Sequence, residues 1–465
     1  MAYTVTQSTT GVQGALDDLI YVVKDTTNTS QPKYRYVCRI QQGGNTLIKL
    51  KQLPNNSNAA VFNIQSIVST VTYQDDNPYS LGSTNLEGQL DTTQIFSVNT
   101  NALKEINLQF GYEYAVNDQS APTETLLPLT QTAVVVVNGY FRGAGDSYPL
   151  ASNASSLYKL TSAGKLFLSD AGQFGSGPDI IYPVADDDTN RSRACIAFLN
   201  GNDVGSTGPS YMHISYYKGT QALNTGSIQN TTTYGGKAPA VGLNDSQSLL
   251  YMGVGPFNLQ SQSISATLKP SAIGNKGWTH YEIQASSSAV LTGYEKSKVY
   301  RFDRMQCNKF YRSKAAYTLH WWNSKGGVDS LPCTGKSVRS DQMDRVEYRV
   351  SGGNGFDADG TSPAYVQQSY KGGKQTSRIR TTNSLRLSVD MGSPNVLTPL
   401  VESLMRSERV YLSGDSNFGL ASGRSGSGTV QCVVKDTSVE YLEGVNDQAA
   451  TYVFNVELSR QIPYS

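Results

Sequence analysis

The three histidines of the chain are the residues with the most direct capacity for catalysis or metal binding. His213, His280 and His320 lie far apart in the sequence, each beside aromatic residues in a strand-like segment. They lack the close spacing of a paired zinc motif, and no G-x-S-x-G elbow marks a serine nucleophile that one of them could serve. We therefore interpret them as core or surface residues and predict no catalytic residue.

Two groups of aspartates can offer oxygen ligands to Ca²⁺, which takes about six to eight of them. They are Asp186-Asp187-Asp188 and Asp357-Ala358-Asp359-Gly360. Aligning the second group on a calcium loop places Gly355 at the first ligand position and Val366 at the last, where a carboxylate is needed. We interpret both groups as solvated loops in which aspartate stabilises turns, and predict no metal ligand.

Phosphate recognition has little support in the sequence. There is no G-x-x-x-x-G-K-[ST] loop, and Gly253-Val254-Gly255 lacks the rest of a dinucleotide fingerprint, so no cofactor is expected. The basic and aromatic segment 301–314 can face phosphates, but we favour a strand edge or a subunit contact. Because 38 Lys and Arg nearly balance 37 Asp and Glu, the overall charge disfavours bulk binding to nucleic acid or to anionic membranes.

Composition indicates a β-rich protein of several domains. The 465 residues suggest about three domains, and 43 Gly with 29 Tyr suit short strands joined by turns. The sequence shows no secretory signal at its start and no stretch near the ~18 apolar residues of a membrane span, so we expect folding in a cytosol. The five cysteines have no C-x-x-C pair and are predicted to be reduced thiols: Cys38, Cys195, Cys307, Cys333 and Cys432.

The elements that would position these residues are mostly strands. Alternation over 34–40 and the turn Gly43-Gly44-Asn45 predict a hairpin that returns over 46–50. Residues 61–71 fit a short helix or a strand equally well. Alternation over 106–114 predicts a strand with one buried face. The β-branched run Ala133–Val137 predicts a strand that is covered on both faces and opens a second unit.

Strand candidates then recur with turns between them, which is typical of a β-sandwich. They are Lys165–Leu168, Ala194–Leu199, His213–Tyr217, Ser248–Met252, Ile264–Leu268, His280–Ile283 and Val299–Phe302. The last third begins with a strand at Ala316–Trp322 and contains a glycine-rich stretch, Ser351–Gly373, that we interpret as a loop or an arm. Val430–Lys435 and Tyr452–Leu458 are the final strand candidates.

One helix is predicted near residues 394–406. Ser393 suits its N-cap and Pro394 its first turn, and its apolar face is Val396, Leu397, Leu400, Val401 and Leu404. The expected fold is mainly β and multi-domain, with two or three antiparallel β-sandwich-like modules and this one short C-terminal α-helix. The expected domains are an N-terminal β domain (1–130), a central β-sandwich (131–305) and a C-terminal β-rich domain (306–465).

Four segments carry a resemblance to a known family. The most specific joins Cys307-Asn308-Lys309-Phe310 to residues 318–330 and is similar to C-x-K … L-H-F-L-N-x-x-G-G-x-D-S. Residues 34–64 resemble a hairpin, a proline loop and a G-x-F-D-I segment, with departures at Ala60 and Asn63. Residues 106–114 resemble a strand ending in F-G-E-x-Y, with Tyr112 in place of the acid. Residues 397–412 resemble L-L-x-S-x-x-V-Y-L, followed by the ending at 453–460.

These patterns are similar to those of tail or neck structural proteins in phages of Bacteroidetes and aquatic bacteria, including crAss-like relatives. The resemblance implies a non-enzymatic virion protein, a tail, neck or baseplate ring subunit, made in the host cytoplasm. Its expected partners are further copies of itself in a ring, other tail, neck or portal proteins, and tail fibres. On physical grounds, Asn323 and Gly326-Gly327 would form a tight turn, with Asp329 able to cap backbone N–H groups.

Two other functions stay open from the sequence. A receptor- or glycan-binding tail fibre protein would stack exposed Tyr and Trp on sugar rings, but no fibrous repeat is evident. A virion-embedded glycan hydrolase would need two carboxylates about 5 to 9.5 Å apart across a cleft, and the sequence does not pair any.

Overall fold

The computed structural model describes most of the strands that the sequence predicts. The described residues are 3–9, 11–72, 96–99, 102–128, 134–140, 160, 166–171, 180–184, 193–199, 209–229, 249–261, 264–273, 277–304, 317–335, 337–350, 373–391, 394–413, 429–436 and 450–458. The protein is mainly β, with several antiparallel sheets, and this confirms the predicted fold class. Within these residues no helix is long and apolar enough to cross a bilayer.

Two sheets enclose the N-terminal core. The first contains β1 (Tyr3–Gln7), β3 (Ile20–Asp25) and β6 (Ala59–Asn63), in the order β1-β3-β6. The second contains β2 (Gly11–Gly14), β4 (Arg35–Gln42), β5 (Asn45–Gln52), β8 (Leu103–Tyr114), β9 (Thr123–Leu126) and β10 (Val134–Val137). Its order is β2-β10-β8-β4-β5, with β9 beside β8. Tyr21 of the first sheet packs against Phe110 of the second, with ring centroids 5.8 Å apart.

Local sequence signals account for this module well. The predicted hairpin is the β4–β5 pair, and its turn glycines Gly43 and Gly44 have the positive φ values, 56° and 83°, that favour glycine. Strand β8 alternates as predicted up to Phe110, with Ile106, Leu108 and Phe110 buried, but beyond it Glu113 is buried and Tyr112 and Tyr114 are only partly buried. The ambiguous segment 61–71 contains both elements: β6 ends at Asn63 and helix α1 (Gln65–Val71) follows it.

The central core also lies between two sheets. One has the strands β11 (Ile180–Val184), β13 (Tyr211–Lys218), β14 (Gln221–Gln229), β16 (His280–Ser286) and β17 (Tyr300–Arg304), in the order β11-β17-β16-β13-β14. The other has β7 (Phe96–Asn99), β12 (Cys195–Leu199) and β15 (Leu249–Gly253), in the order β12-β15-β7. Helix α2 (Pro256–Ser261) follows β15.

Two predicted strands of this region do not form in the described residues. Ile264–Leu268 contains a 3₁₀ turn at Ala266–Leu268, so the strand prediction was wrong. Pro270 begins a second 3₁₀ turn, and Leu268 points into the space over Gly226, where a side chain on the glycine would collide with it. Of Lys165–Leu168, the described residues make one isolated bridge, Phe167 to Phe198.

Strand pairing crosses the predicted boundary at residue 130 in both directions. Strand β7 pairs with β15 of the central region. Strand β10, predicted to open the second unit, lies between β2 and β8 in the N-terminal sheet. The division into three domains stays a prediction.

The C-terminal part is one seven-stranded sheet with a helix. Its strands are β18 (Tyr317–Trp322), β19 (Val328–Cys333), β20 (Val338–Val350), β21 (Gly373–Met391), β22 (Val410–Ser413), β23 (Thr429–Val434) and β24 (Ala450–Leu458), in the order β19-β18-β22-β23-β24-β21-β20. The predicted helix is confirmed as α3 (Pro394–Arg406), and Leu397, Leu400, Val401 and Leu404 are buried. Its proposed N-cap, Ser393, lies outside the described residues.

Candidate functional site

The motif at 318–330 forms the hairpin β18–β19, and its turn is held by Asn323. The Asn323 side-chain carbonyl oxygen accepts hydrogen bonds from the backbone N–H groups of Lys325 and Gly327, at 3.0 and 2.8 Å, as the turn prediction required. Its amide group donates to the carbonyl of Leu168 at 2.9 Å. A Cβ on Gly327 would overlap that same Leu168 carbonyl. The turn is therefore a docking point for a distant segment of the chain.

Two aspartates, the buried Asp329 and the partly exposed Asp170, hold this junction together. Asp329 is 1% exposed and accepts hydrogen bonds from the Ser169 hydroxyl at 2.5 Å and from the Asp170 backbone N–H at 2.9 Å. The Asp170 carboxylate accepts from the backbone N–H and hydroxyl of Ser324, at 2.7 and 2.6 Å. The sequence predicted that Asp329 caps backbone N–H groups, and the N–H that it caps lies 159 residues away.

The network continues into helix α3. The Ser403 hydroxyl donates to Asp170 at 2.6 Å and accepts from the indole N–H of Trp321 at 2.9 Å. Burial, with the nearby charge of Asp170 as the second cause, raises the pKa of Asp329 well above its usual range. We call the hydrogen-bonded cluster of Ser169, Asp170, Ser324, Asp329 and Ser403 the clasp, and the raised pKa of Asp329 makes its hydrogen bonds sensitive to pH.

A cavity of about 610 Å³ opens beside the clasp. Its walls come from the N-terminal module, the β18–β19 turn and helix α3, and they include Thr72, Tyr140, Trp322 and Glu402. The indole nitrogen of Trp322 and the hydroxyl of Thr72 are buried without a hydrogen-bond partner. Both atoms have almost no accessible surface, so they do not face the open part of the cavity.

The three histidines are buried in separate strands with local partners. His320 lies between the hydroxyls of Ser330 and Ser413, at 2.8 and 2.7 Å, and burial followed by the charge of Arg193 lowers its pKa to about 3. His213 contacts the Ser286 hydroxyl at 2.8 Å. His280 stacks on Tyr217 with ring centroids 4.9 Å apart. The structure brings none of them to the cavity wall.

The other candidates lie partly outside the described residues. This holds for both aspartate groups, for 305–314 and for Ser351 to Gly372. Within the described part of the basic segment, Arg301 pairs with Asp303 at 2.8 Å, and Arg304 stacks over Trp278 and donates to its carbonyl. These two arginines are thus engaged by the chain itself. The four described cysteines are buried, and burial raises the pKa of each thiol.

A two-stranded arm extends from the seven-stranded sheet. Strand β21 pairs with β24 only over Ser384–Met391, whereas it pairs with β20 over its earlier residues as well. We call residues 338–350 and 373–383 the arm. At about 3.3 Å per residue, its free part is about 30 Å long. An isolated two-stranded ribbon is marginally stable in water, so it favours a further contact.

The arm exposes several large hydrophobic residues. Its large exposed hydrophobic residues, with their exposed fractions, are Val338 (43%), Met343 (54%), Val346 (57%), Tyr348 (47%) and Ile379 (43%). Among these side chains, charged residues of both signs alternate along β20. Such a rim of charge around apolar side chains marks an interaction surface.

Comparison with known proteins adds little. No family model and no curated protein matches the chain. Among solved structures, the chain is similar to extracellular domains 3–5 of Drosophila OTK, at 7% identity and a TM-score of 0.19, over 83% of this chain and 92% of that one. A likeness at that TM-score carries no argument for fold or function.

Proposed function

We propose that this chain is a structural component of a bacteriophage virion, a tail, neck or baseplate ring subunit that acts through subunit contacts. The arm is the observation that supports this proposal best. It exposes large apolar side chains on a ribbon that nothing else in the described part of the chain covers. A monomer gains nothing from such a ribbon, whereas a ring subunit buries it against a neighbour.

The sequence motif at 318–330 fits the same role. Its polar residues Asn323 and Asp329 stabilise the junction, and His320 joins β18 to its neighbouring strands through Ser330 and Ser413. The clasp holds the seven-stranded sheet, which carries the arm, against the segment 166–171. A subunit that transmits force across an assembly requires such rigid connections between its modules.

Labelling of intact particles tests this proposal. Antibodies against the purified full chain would be applied to particles of the phage that encodes it, with particles of an unrelated phage as the control. We expect gold label at the tail or neck and several copies per particle by quantitative mass spectrometry. Absence of the chain from purified particles would overturn the proposal.

The cavity favours a second candidate, the binding of a glycan receptor. Tyr140 on the cavity wall is 41% exposed and can stack on a sugar ring. A glycan array with the full chain tests this candidate, with Tyr140→Ala as the binding-deficient variant. Equal signals from both proteins would remove the cavity as the binding site.

A further inference from the structure

The outer edge of β20 is open. Strand β20 is the last strand of its sheet and pairs with β21 alone among the described residues. Its 13 residues include no Pro, Gly or Lys, the residues with which edge strands commonly prevent pairing. The irregularity in its pairing with β21 lies between Val346 and Glu347, where β21 supplies the extra residue, Ser377, so β20 itself is continuous.

We infer that β20 pairs antiparallel with β20 of a second copy of this chain, about a two-fold axis at Met343. This inference rests on the proposed function, since it names the partner of the arm. An isologous two-fold contact cannot link successive subunits around a cyclic ring, so the β20 pair joins subunits of two facing rings. A two-fold axis perpendicular to a sheet keeps each side chain on its own face. Directly opposite residues must therefore differ by an even number of positions, and this leaves only a few registers.

The register centred on Met343 matches opposite charges. It places Arg339 opposite Glu347 of the second copy, and Asp341 opposite Arg345. Symmetry repeats both pairs, so four oppositely charged pairs flank the axis on one face. No like charges lie directly opposite each other in this register, and each matched pair favours the association.

Registers centred on neighbouring residues place like charges opposite each other. Centring on Asp344 opposes Arg339 to Arg349, Asp341 to Glu347, and Asp344 to itself. A register centred on Gln342 places Arg339 opposite Arg345 of the second copy. A register centred on Arg345 places Arg345 of the two copies opposite each other. Because directly opposed like charges destabilise strand pairing, the sequence of β20 specifies the Met343 register against the adjacent ones.

The same register covers exposed apolar surface. Met343, 54% exposed, packs against its own copy at the axis. On the other face, Val338 meets Tyr348 of the second copy.

Cysteine cross-linking tests the register directly. Met343→Cys places two thiols opposite each other at the axis, and we expect a disulfide-linked dimer under mild oxidation. Val346→Cys is the matched control, because Val346 is similarly exposed, at 57%, but lies opposite Ser340. In that control the two introduced thiols would be about 20 Å apart, too far for a disulfide. Both variants would carry Cys307→Ser, since the other cysteines are buried.

Charge reversal with rescue tests the specificity. Asp341→Arg turns two attractive pairs into repulsive ones, and we expect the dimer dissociation constant to rise at least about tenfold. The double variant Asp341→Arg, Arg345→Asp restores opposite charges in this register and should recover most of the affinity. Analytical ultracentrifugation gives both constants, and circular dichroism confirms that each variant is folded. Equal affinity for all three proteins would overturn the inference.

The outcomes separate this inference from the proposed function. Equal cross-linking of Met343→Cys and Val346→Cys, or a wild-type monomer at high concentration, overturns the β20 dimer. If the protein is nevertheless found in particles, the proposed virion role stands without the β20 dimer. If instead the protein dimerises about Met343 but is absent from particles, the inference is supported and the virion role is overturned.

Discussion

Removing the Asp329 carboxylate tests how much the junction contributes to the free energy of unfolding. In Asp329→Ala, the Ser169 hydroxyl and the Asp170 backbone N–H lose their acceptor inside the protein. Each unsatisfied buried donor costs about 1–3 kcal/mol, so the free energy of unfolding should fall by about 2–5 kcal/mol. Asp118→Ala, at an exposed position, is the control and should change it by less than about 0.5 kcal/mol.

The assay is urea unfolding followed by tryptophan fluorescence, because Trp321 and Trp322 adjoin the junction. Asp329→Asn separates hydrogen bonding from charge. It keeps one acceptor for the Asp170 N–H, its amide can donate to Ser169, and it removes the repulsion from Asp170. It should cost less than Asp329→Ala, by at least about 1 kcal/mol.

The raised pKa of Asp329 predicts how the stability of the protein changes with pH. The folded state raises the pKa of Asp329, so it binds this proton more tightly than the unfolded state does. The resulting stabilisation is complete below the unfolded pKa of about 3.9 and is lost as the pH rises through the folded pKa. Wild-type stability should therefore decline relative to Asp329→Asn as the pH rises from about 4. Two results would contradict this explanation: equal losses of stability in Asp329→Ala and Asp118→Ala, or a wild-type stability that rises with pH relative to Asp329→Asn.

Three further changes probe the same region by thermal and urea unfolding. Gly327→Ala forces a methyl group against the Leu168 carbonyl and should cost about 1–3 kcal/mol; an unchanged melting temperature would contradict the close approach. Ser403→Ala leaves the Trp321 indole N–H without its acceptor and should cost about 1–3 kcal/mol. His320 is held neutral by burial with a pKa of about 3, so its contribution falls as the pH drops below about 6.5, and His320→Gln should remove that acid sensitivity.

The sequence predicted those elements whose signals are local. The Asn323 turn followed from Asn and Gly at fixed offsets, and helix α3 followed from its apolar period behind Pro394. The strand prediction for Ile264–Leu268 was wrong because three alternating apolar residues before Pro270 do not distinguish a strand from a 3₁₀ turn. Short apolar segments of this kind are ambiguous by periodicity alone.

The sequence did not predict the Asp170–Ser403 contact or the arm. The contact joins distant residues, and the arm has no buried face that would mark it in the sequence. Asp170 and Ser403 have no local motif, and their hydrogen bond spans 233 residues. Strand β20 alternates only at its end, over Val346, Tyr348 and Val350, and residues 338–345 show no apolar period, because the arm buries neither face within the chain. Its signal in the sequence is an uninterrupted run without Gly or Pro, which marks a strand but not what it contacts.

Electron cryomicroscopy of intact particles would locate the chain in the virion. We expect several symmetry-related copies of it around the tail or neck, with the arm of each copy buried at a subunit boundary. Particles without this chain, or copies whose arms extend freely into solvent, would contradict this expectation.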